Sequence, residues 1–217
     1  IKGRDCLMKR IMEPGCLRLA ILASGRGSNF LAILEAIKEG QLNACIEVLI
    51  SDKEDALALQ KAQEAEIPHV FIDPRLFSDQ AGYESDIVKE LQAREIDLVV
   101  LAGYMRLVGK VLLHAYPHRI LNIHPALLPA FTGLHAQRQA VAYGVKLSGC
   151  TVHLVDDGMD TGPIIAQAVV PVLPDDSEDD LAERILVEEH KLYARVLQWF
   201  AEGRVYIEGR KILVNHH

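Results

Sequence analysis

With 217 residues, half of them hydrophobic and 24% charged, the chain is long enough to enclose a sizeable core and falls between one and two typical domains. Its formal net charge of −7 excludes nucleic-acid binding through the overall field, and no apolar stretch reaches the roughly 18 residues that a membrane span requires. An anionic ligand would have to be held by local donors.

The basic start (Lys2, Arg4, Lys9, Arg10) followed by an apolar run at 17–23 has the outline of a signal peptide. The run is short, however, and ends in Ser-Gly-Arg-Gly, so it is read as a first strand. Residues 1–16 are expected as an N-terminal extension and 17–217 as a single domain. Short apolar runs at 17–23, 45–50, 69–72, 98–102 and 120–123 suit strands buried on both faces. Between them, helical spacing of apolar residues predicts helices over 30–39, 56–65, 82–94 and 110–116. The alternation implies right-handed βαβ units: an α/β, Rossmann-like, open and mostly parallel sheet with helices on both faces.

After Gly133 the rhythm changes. A helix over 136–143 leads to strands at 150–155 and 164–172 around Asp156-Asp157-Gly158, predicting an antiparallel C-terminal addition to the sheet. Ser177 caps a long helix over 178–200 with acidic residues in its first turn. A hairpin, 205–208 and 211–214 around Gly209, follows. The four cysteines, Cys6, Cys16, Cys45 and Cys150, show neither a Cys-x-x-Cys pair nor a zinc spacing, so free thiols in a reducing cytoplasm are expected.

Two segments carry chemistry. Ser24-Gly25-Arg26-Gly27-Ser28-Asn29 lies between the first strand and the first helix, where backbone N–H groups and a helix N-terminus face a bound anion. Ser28 and Asn29 add side-chain donors. The segment is not a complete dinucleotide fingerprint, because Phe30 stands at the third glycine position, yet Asp52 keeps a nicotinamide enzyme open as an alternative. The second segment, Leu121-Asn122-Ile123-His124-Pro125, ends the fifth strand of this set. Strand alternation puts Asn122 and His124 on one face, and Pro125 holds His124 in an extended backbone. A histidine exchanges a proton near neutral pH, and an Asn amide can bond a developing oxyanion. Taken alone, a histidine near a strand end is more often a satisfied structural residue than a catalytic one.

From 121 to 135 and from 150 to 163 the chain resembles the folate-dependent formyltransferase family, whose block reads N-x-H-P-S-L-L-P and then V-H-x-V…D-x-G-P. The likeness runs over residues 17–208, including Leu101-Ala102-Gly103-Tyr104-Met105-Arg106 and Ser177-Glu178-Asp179-Asp180, and is strongest to the branch that formylates phosphoribosylglycinamide in purine synthesis. The resemblance implies a reaction and a site. Formyl would pass from 10-formyltetrahydrofolate to the glycinamide amine through a tetrahedral intermediate, without metal. Asn122, His124 and Asp160 would be catalytic, with Asp160 tuning His124. Gly27, Ser28 and Asn29 would hold the phosphate, and Glu189 would meet the amine. Met105, Arg106, Leu107 and Val108 would line the folate slot with Asn122 and Asp156, Asp157, Gly158, Met159 and Asp160, while His135 and His153 would support the site. Gly158 and Gly162 are expected to let the chain bend around Asp160.

Ala126 replaces the family's usual Ser, and Gln80 stands where Arg is common, which puts one charged contact to the folate tail in question. The related hydrolase and the methionyl-tRNA enzyme would carry further N-terminal or C-terminal domains. The expected partners are small molecules, with no nucleic acid or membrane, and the protein is expected as a cytoplasmic monomer or homodimer.

Overall fold

The computed structural model describes residues 8–215, so Lys2, Arg4 and Cys6 lie outside the described part. The first parallel strands are β2 (Leu17–Leu22), β3 (Ala44–Ser51), β4 (His69–Phe71), β5 (Leu98–Leu101) and β6 (Ile120–His124). Helices α1 (Ser28–Lys38), α2 (Leu57–Glu64), α3 (Gln80–Ala93) and α4 (Lys110–Ala115) connect them, with a 3-10 turn at Pro74–Leu76 before α3. Then come α5 (Ala136–Tyr143), β7 (Leu147–Leu154), β8 (Ile164–Pro171) and the long α6 (Glu178–Ala201). The expected open α/β sheet is observed: seven strands in the order β4-β3-β2-β5-β6-β7-β8, with β7 and β8 antiparallel.

The central strands are apolar on both faces because both are covered. Leu19 and Ile21 of β2 pack into a core shared with α1, α2 and α6, while Ala20 and Leu22 face a second core with α3. Leu121 and Ile123 belong to the first core and Ile120 to the second, so Asn122 and His124 point to the α3–α4 side. Between β2 and β5 the chain order reverses direction across the sheet, the place where open α/β sheets bind ligands.

Two elements differ from the sequence reading. Strand β7 begins at Leu147 rather than at 150, because Leu147, Ser148 and Gly149 are paired with Pro171, Val170 and Val169 of β8; backbone pairing, not hydrophobicity, extends it. The hairpin β9 (Val205–Glu208) and β10 (Lys211–Val214) acquires a third strand, β1 (Lys9–Arg10), which pairs with Ile207 and Tyr206. Two exposed basic residues carry no strand signal of their own, and the partner strand alone makes them one.

Candidate active site

The loops after β2 and β5 are bonded to each other at the switch point. Ser24 N–H donates to the Gly103 carbonyl at 3.0 Å, and Met105 N–H donates to Ser24 Oγ at 2.9 Å. Gly27 caps α1 with φ 68°, and a Cβ there would meet Ala58 Cβ at 2.9 Å, so this turn admits glycine alone. The first N–H groups of α1 therefore open at the carboxyl edge of the sheet, beside the segment 104–108.

Asn29 is turned inward. Its Nδ2 donates to Glu189 Oε2 at 2.9 Å, joining α1 to α6, and both side chains are buried. Its Oδ1 is buried without a partner. Burial raises the Glu189 carboxyl above the ordinary carboxylate range, against the lowering effect of the Asn29 hydrogen bond. The expectation of an Asn29 side chain directed at phosphate thus meets a side chain already bonded to a carboxylate; the backbone N–H groups and Ser28 remain for an anion.

Sheet register assembles the second half of the site. Asn122 lies directly opposite His153 across the β6–β7 pair, and His124 lies opposite Thr151. His153 Nδ1 is 2.9 Å from the Leu154 carbonyl, so Nδ1 carries the hydrogen, and Nε2 is left to accept from Asn122 Nδ2 at 3.2 Å. Burial pushes the His153 imidazolium below the ordinary histidine range, in keeping with this neutral tautomer. The 3.8 Å approach of His153 Nε2 to Asp160 Oδ1 is then not an ion pair at neutral pH.

His124 is framed by oxygen on both sides. Nε2 stands 2.8 Å from the Phe131 carbonyl and Nδ1 3.4 Å from Asp160 Oδ2. The same Asp160 oxygen accepts from Gly133 N–H at 2.8 Å, which ties the 156–162 loop to the segment after β6. The loop's bend differs from the expectation. Asp160 itself takes the left-handed conformation, φ 56°, whereas Gly158 and Gly162 leave room for Thr161 and the Leu154 carbonyl, which a Cβ would strike. Asp156 Oδ1 closes the start of the loop by accepting from Gly158 N–H and Thr161 Oγ1. Arg210, from the β9–β10 turn, donates to the Thr161 carbonyl.

Asn122, His124, His153 and Asp160 are thus brought together. His135 is not: it caps α5, largely exposed, with Nδ1 3.6 Å from Glu178 Oε1. Met105 and Leu107 are 64% and 63% exposed, and with the exposed Met159 and Leu134 they offer apolar surface on the loops around the site. Arg106 lies over the Tyr83 ring, 5.1 Å from its centroid. Sequence reasoning missed Thr151 and Gln167. Thr151 Oγ1 donates to the Ala126 carbonyl and accepts from Leu128 N–H and Gln167 Nε2, shaping the chain after His124. Their signal, a polar pair facing each other on β7 and β8, becomes visible only with the register. Among the described residues no group of three or more His, Cys, Asp or Glu side chains is arranged to hold a metal. Nor is any described helix long and apolar enough to cross a membrane.

Comparison with known proteins agrees with this architecture. Residues 17–197 match the formyl transferase family. Phosphoribosylglycinamide formyltransferase of Bacillus subtilis (strain 168) is 44% identical over 181 residues, 83% of this chain and 93% of that protein. The chain spans 14% of another relative, the trifunctional purine biosynthetic protein adenosine-3 of Drosophila melanogaster, at 43% identity. The crystal structure of glycinamide ribonucleotide transformylase 1 from Symbiobacterium toebii has a TM-score of 0.90 at 47% identity and covers 99% of both chains. With a family match over most of its length and relatives at this identity, the chain belongs to the formyl transferase family.

Proposed function

We propose that the protein transfers the formyl group of 10-formyltetrahydrofolate to the amine of phosphoribosylglycinamide, as the names of its relatives suggest, and that residues 17–217 act as one formyltransferase domain. The observation that carries the reading is the set Asn122, His124, His153 and Asp160, joined across the β6–β7 register and the 156–162 loop at the same carboxyl edge of the sheet as the glycine turn of α1. In this reading the α1 N-terminus with Gly27, Ser28 and the Asn29 N–H holds the substrate phosphate. Glu189, fixed by Asn29, meets the amine. The exposed apolar side chains of Met105, Leu107 and Met159 flank the pterin ring, with Arg106 and Val108 and the rest of the 156–160 loop completing the slot.

When the amine attacks the formyl carbon, negative charge gathers on the formyl oxygen. The Asn122 amide, oriented by neutral His153, donates to it, as does the His124 Nε2–H once it turns from the Phe131 carbonyl. Asp160 Oδ2 faces the His124 ring at 3.4 Å from Nδ1 and fixes its orientation. That Nε2 proton is then delivered to the departing folate nitrogen, and the proton released by the attacking nitrogen replaces it on His124, so that none is gained or lost overall. No step in this scheme calls for a metal. The free thiols Cys16, Cys45 and Cys150 fit a reducing cytoplasm.

One assay tests the reading: 10-formyltetrahydrofolate with and without phosphoribosylglycinamide. Formylated acceptor with no formate release in its absence is the expected result. Formate release independent of acceptor would instead make the protein a hydrolase, the activity named for a related structure, a formyltetrahydrofolate deformylase from Pseudomonas syringae pv. tomato (30% identity, TM-score 0.83, 92% of this chain and 66% of that one).

A further inference from the structure

The segment 102–109 has no regular structure and exposes Met105, Arg106 and Leu107, yet its backbone is not free. Its ends are held by strand β2 and helix α4, through Ala102 N–H to the Leu22 carbonyl and Leu113 N–H to the Gly109 carbonyl; between them, the side-chain hydrogen bonds other than that of Ser24 come from one face of α3. Tyr83 Oη is 2.9 Å from Tyr104 Oη, Gln80 Nε2 donates to the Leu107 carbonyl at 2.9 Å, and Glu84 accepts from Gly109 N–H. Gln80, Tyr83 and Glu84 are spaced i, i+3, i+4 and so share a side of the helix.

Glu84 is the unusual member. It is 3% exposed, and its bonded partners are N–H groups rather than a cation: Gln80 Nε2 at 3.0 Å, Gly109 N–H, and Leu112 N–H at 3.2 Å. A buried carboxylate is costly unless its oxygens are well bonded. Here the bonds run to the segment's end and to the first turn of α4. Gly109 is part of the arrangement, since a Cβ there would lie 2.8 Å from both Gln80 Nε2 and Glu84 Oε1. Ring, amide and carboxylate together therefore select one course for residues 104–109.

We infer that Gln80, Tyr83 and Glu84 are positioning residues that preset the 104–109 backbone for the pterin-bearing co-substrate, so that folate affinity is governed from α3. The inference rests on the formyl-folate reading above. Pre-organisation lowers the ordering cost that binding would otherwise bear, so loosening the segment weakens the ligand that lies on it and spares a ligand that does not.

The experiment uses the full chain and 5-formyltetrahydrofolate as a non-transferring probe. Gln80→Ala should weaken the probe about ten-fold, as expected when the Leu107 carbonyl loses its donor. It should leave the Michaelis constant for phosphoribosylglycinamide and the turnover at saturating folate near wild type. Gln80→Lys, which restores an N–H donor towards the Leu107 carbonyl, should recover most of the affinity. Hydrogen exchange at the amides of 105–109 should quicken in Gln80→Ala, a readout independent of the ligand. Glu84→Gln should do the same more strongly, and if it fails to fold the Gln80 pair still decides. Quicker exchange with unchanged probe affinity, or equal losses for both substrates, would overturn the inference. A wild-type protein that binds no reduced folate would instead bring down the functional reading, and with it the ligand named here, while the exchange result would still show whether α3 holds the segment.

Discussion

Asp160 Oδ2 accepts from Gly133 N–H at 2.8 Å and lies 3.4 Å from His124 Nδ1, so a single carboxylate oxygen serves both a backbone anchor and the histidine ring. Its residue sits at φ 56°, a conformation that Asn tolerates better than other non-glycine residues. Asp160→Asn is therefore a clean charge removal. We expect normal folding, retained substrate binding and reduced turnover, read by calorimetric titration beside initial rates. Unchanged turnover would leave Asp160 as a loop anchor only.

Replacing the ring itself should cost more. His124→Ala is expected to lose about 10²–10⁴-fold in turnover, the usual contribution of a general acid. The alanine also leaves the Phe131 carbonyl without its donor, so melting should be measured on the same preparation. A folded variant with near-wild-type rate would remove His124 from the chemistry.

The pH dependence follows from His153. Burial lowers its folded pKa below the ordinary value of 6.5, so between the two values the unfolded chain binds more protons and stability rises with pH. This contribution is present above 6.5 and is lost as pH falls through the folded value. Protonation also turns Nε2 from an acceptor into a donor and expels the Asn122 amide. Turnover should thus collapse on the acid side together with the melting temperature, and His153→Phe should flatten the acid limb while lowering the plateau.

Glu189 gives the opposite sign. Its carboxyl is raised by burial, so the folded state holds a proton that the unfolded state has released, and stability falls as pH rises from the ordinary carboxylate value through the raised one. Glu189→Gln removes that fall. It should raise the melting temperature at neutral pH relative to wild type while weakening the acceptor amine, seen as a higher Michaelis constant for phosphoribosylglycinamide. A destabilised variant with unchanged Michaelis constant would contradict both halves.

At the glycine turn, Gly27→Ala is predicted to act on folding. The left-handed φ alone costs about 1 kcal/mol in a non-glycine residue, and the added Cβ presses on Ala58. Ser28→Ala keeps the backbone and removes one hydroxyl. It should raise the Michaelis constant for the phosphorylated acceptor with little change in melting, and equal effects on folate would move the phosphate elsewhere.

Much of the architecture was legible because it follows from local rules. Doubly buried strands read as apolar runs, and the hairpin at 205–214 has the bounds its turn residues dictate. The Asn122–His124 face followed from strand alternation. What escaped was decided by pairing: β1 exists through β9, the start of β7 through β8, and the partner of His153 Nε2 through the residue opposite it. Asn29 shows the same limit, since nothing in its neighbourhood along the chain announces a carboxylate 160 positions away.

The small sheet sets an order of assembly. Arg10 bonds the Tyr206 hydroxyl across 196 positions of sequence, and the same sheet sends Arg210 to the Thr161 carbonyl, next to Asp160. A pairing of such separation closes late, after the nearer contacts have formed. During synthesis the large sheet can therefore condense while the loop bearing Asp160 still lacks its outer tether. That tether comes from Arg210, 49 positions beyond Thr161, whereas the bond from Gly133 N–H to Asp160 needs only residues that precede the loop, so the loop is held from inside before it is held from outside.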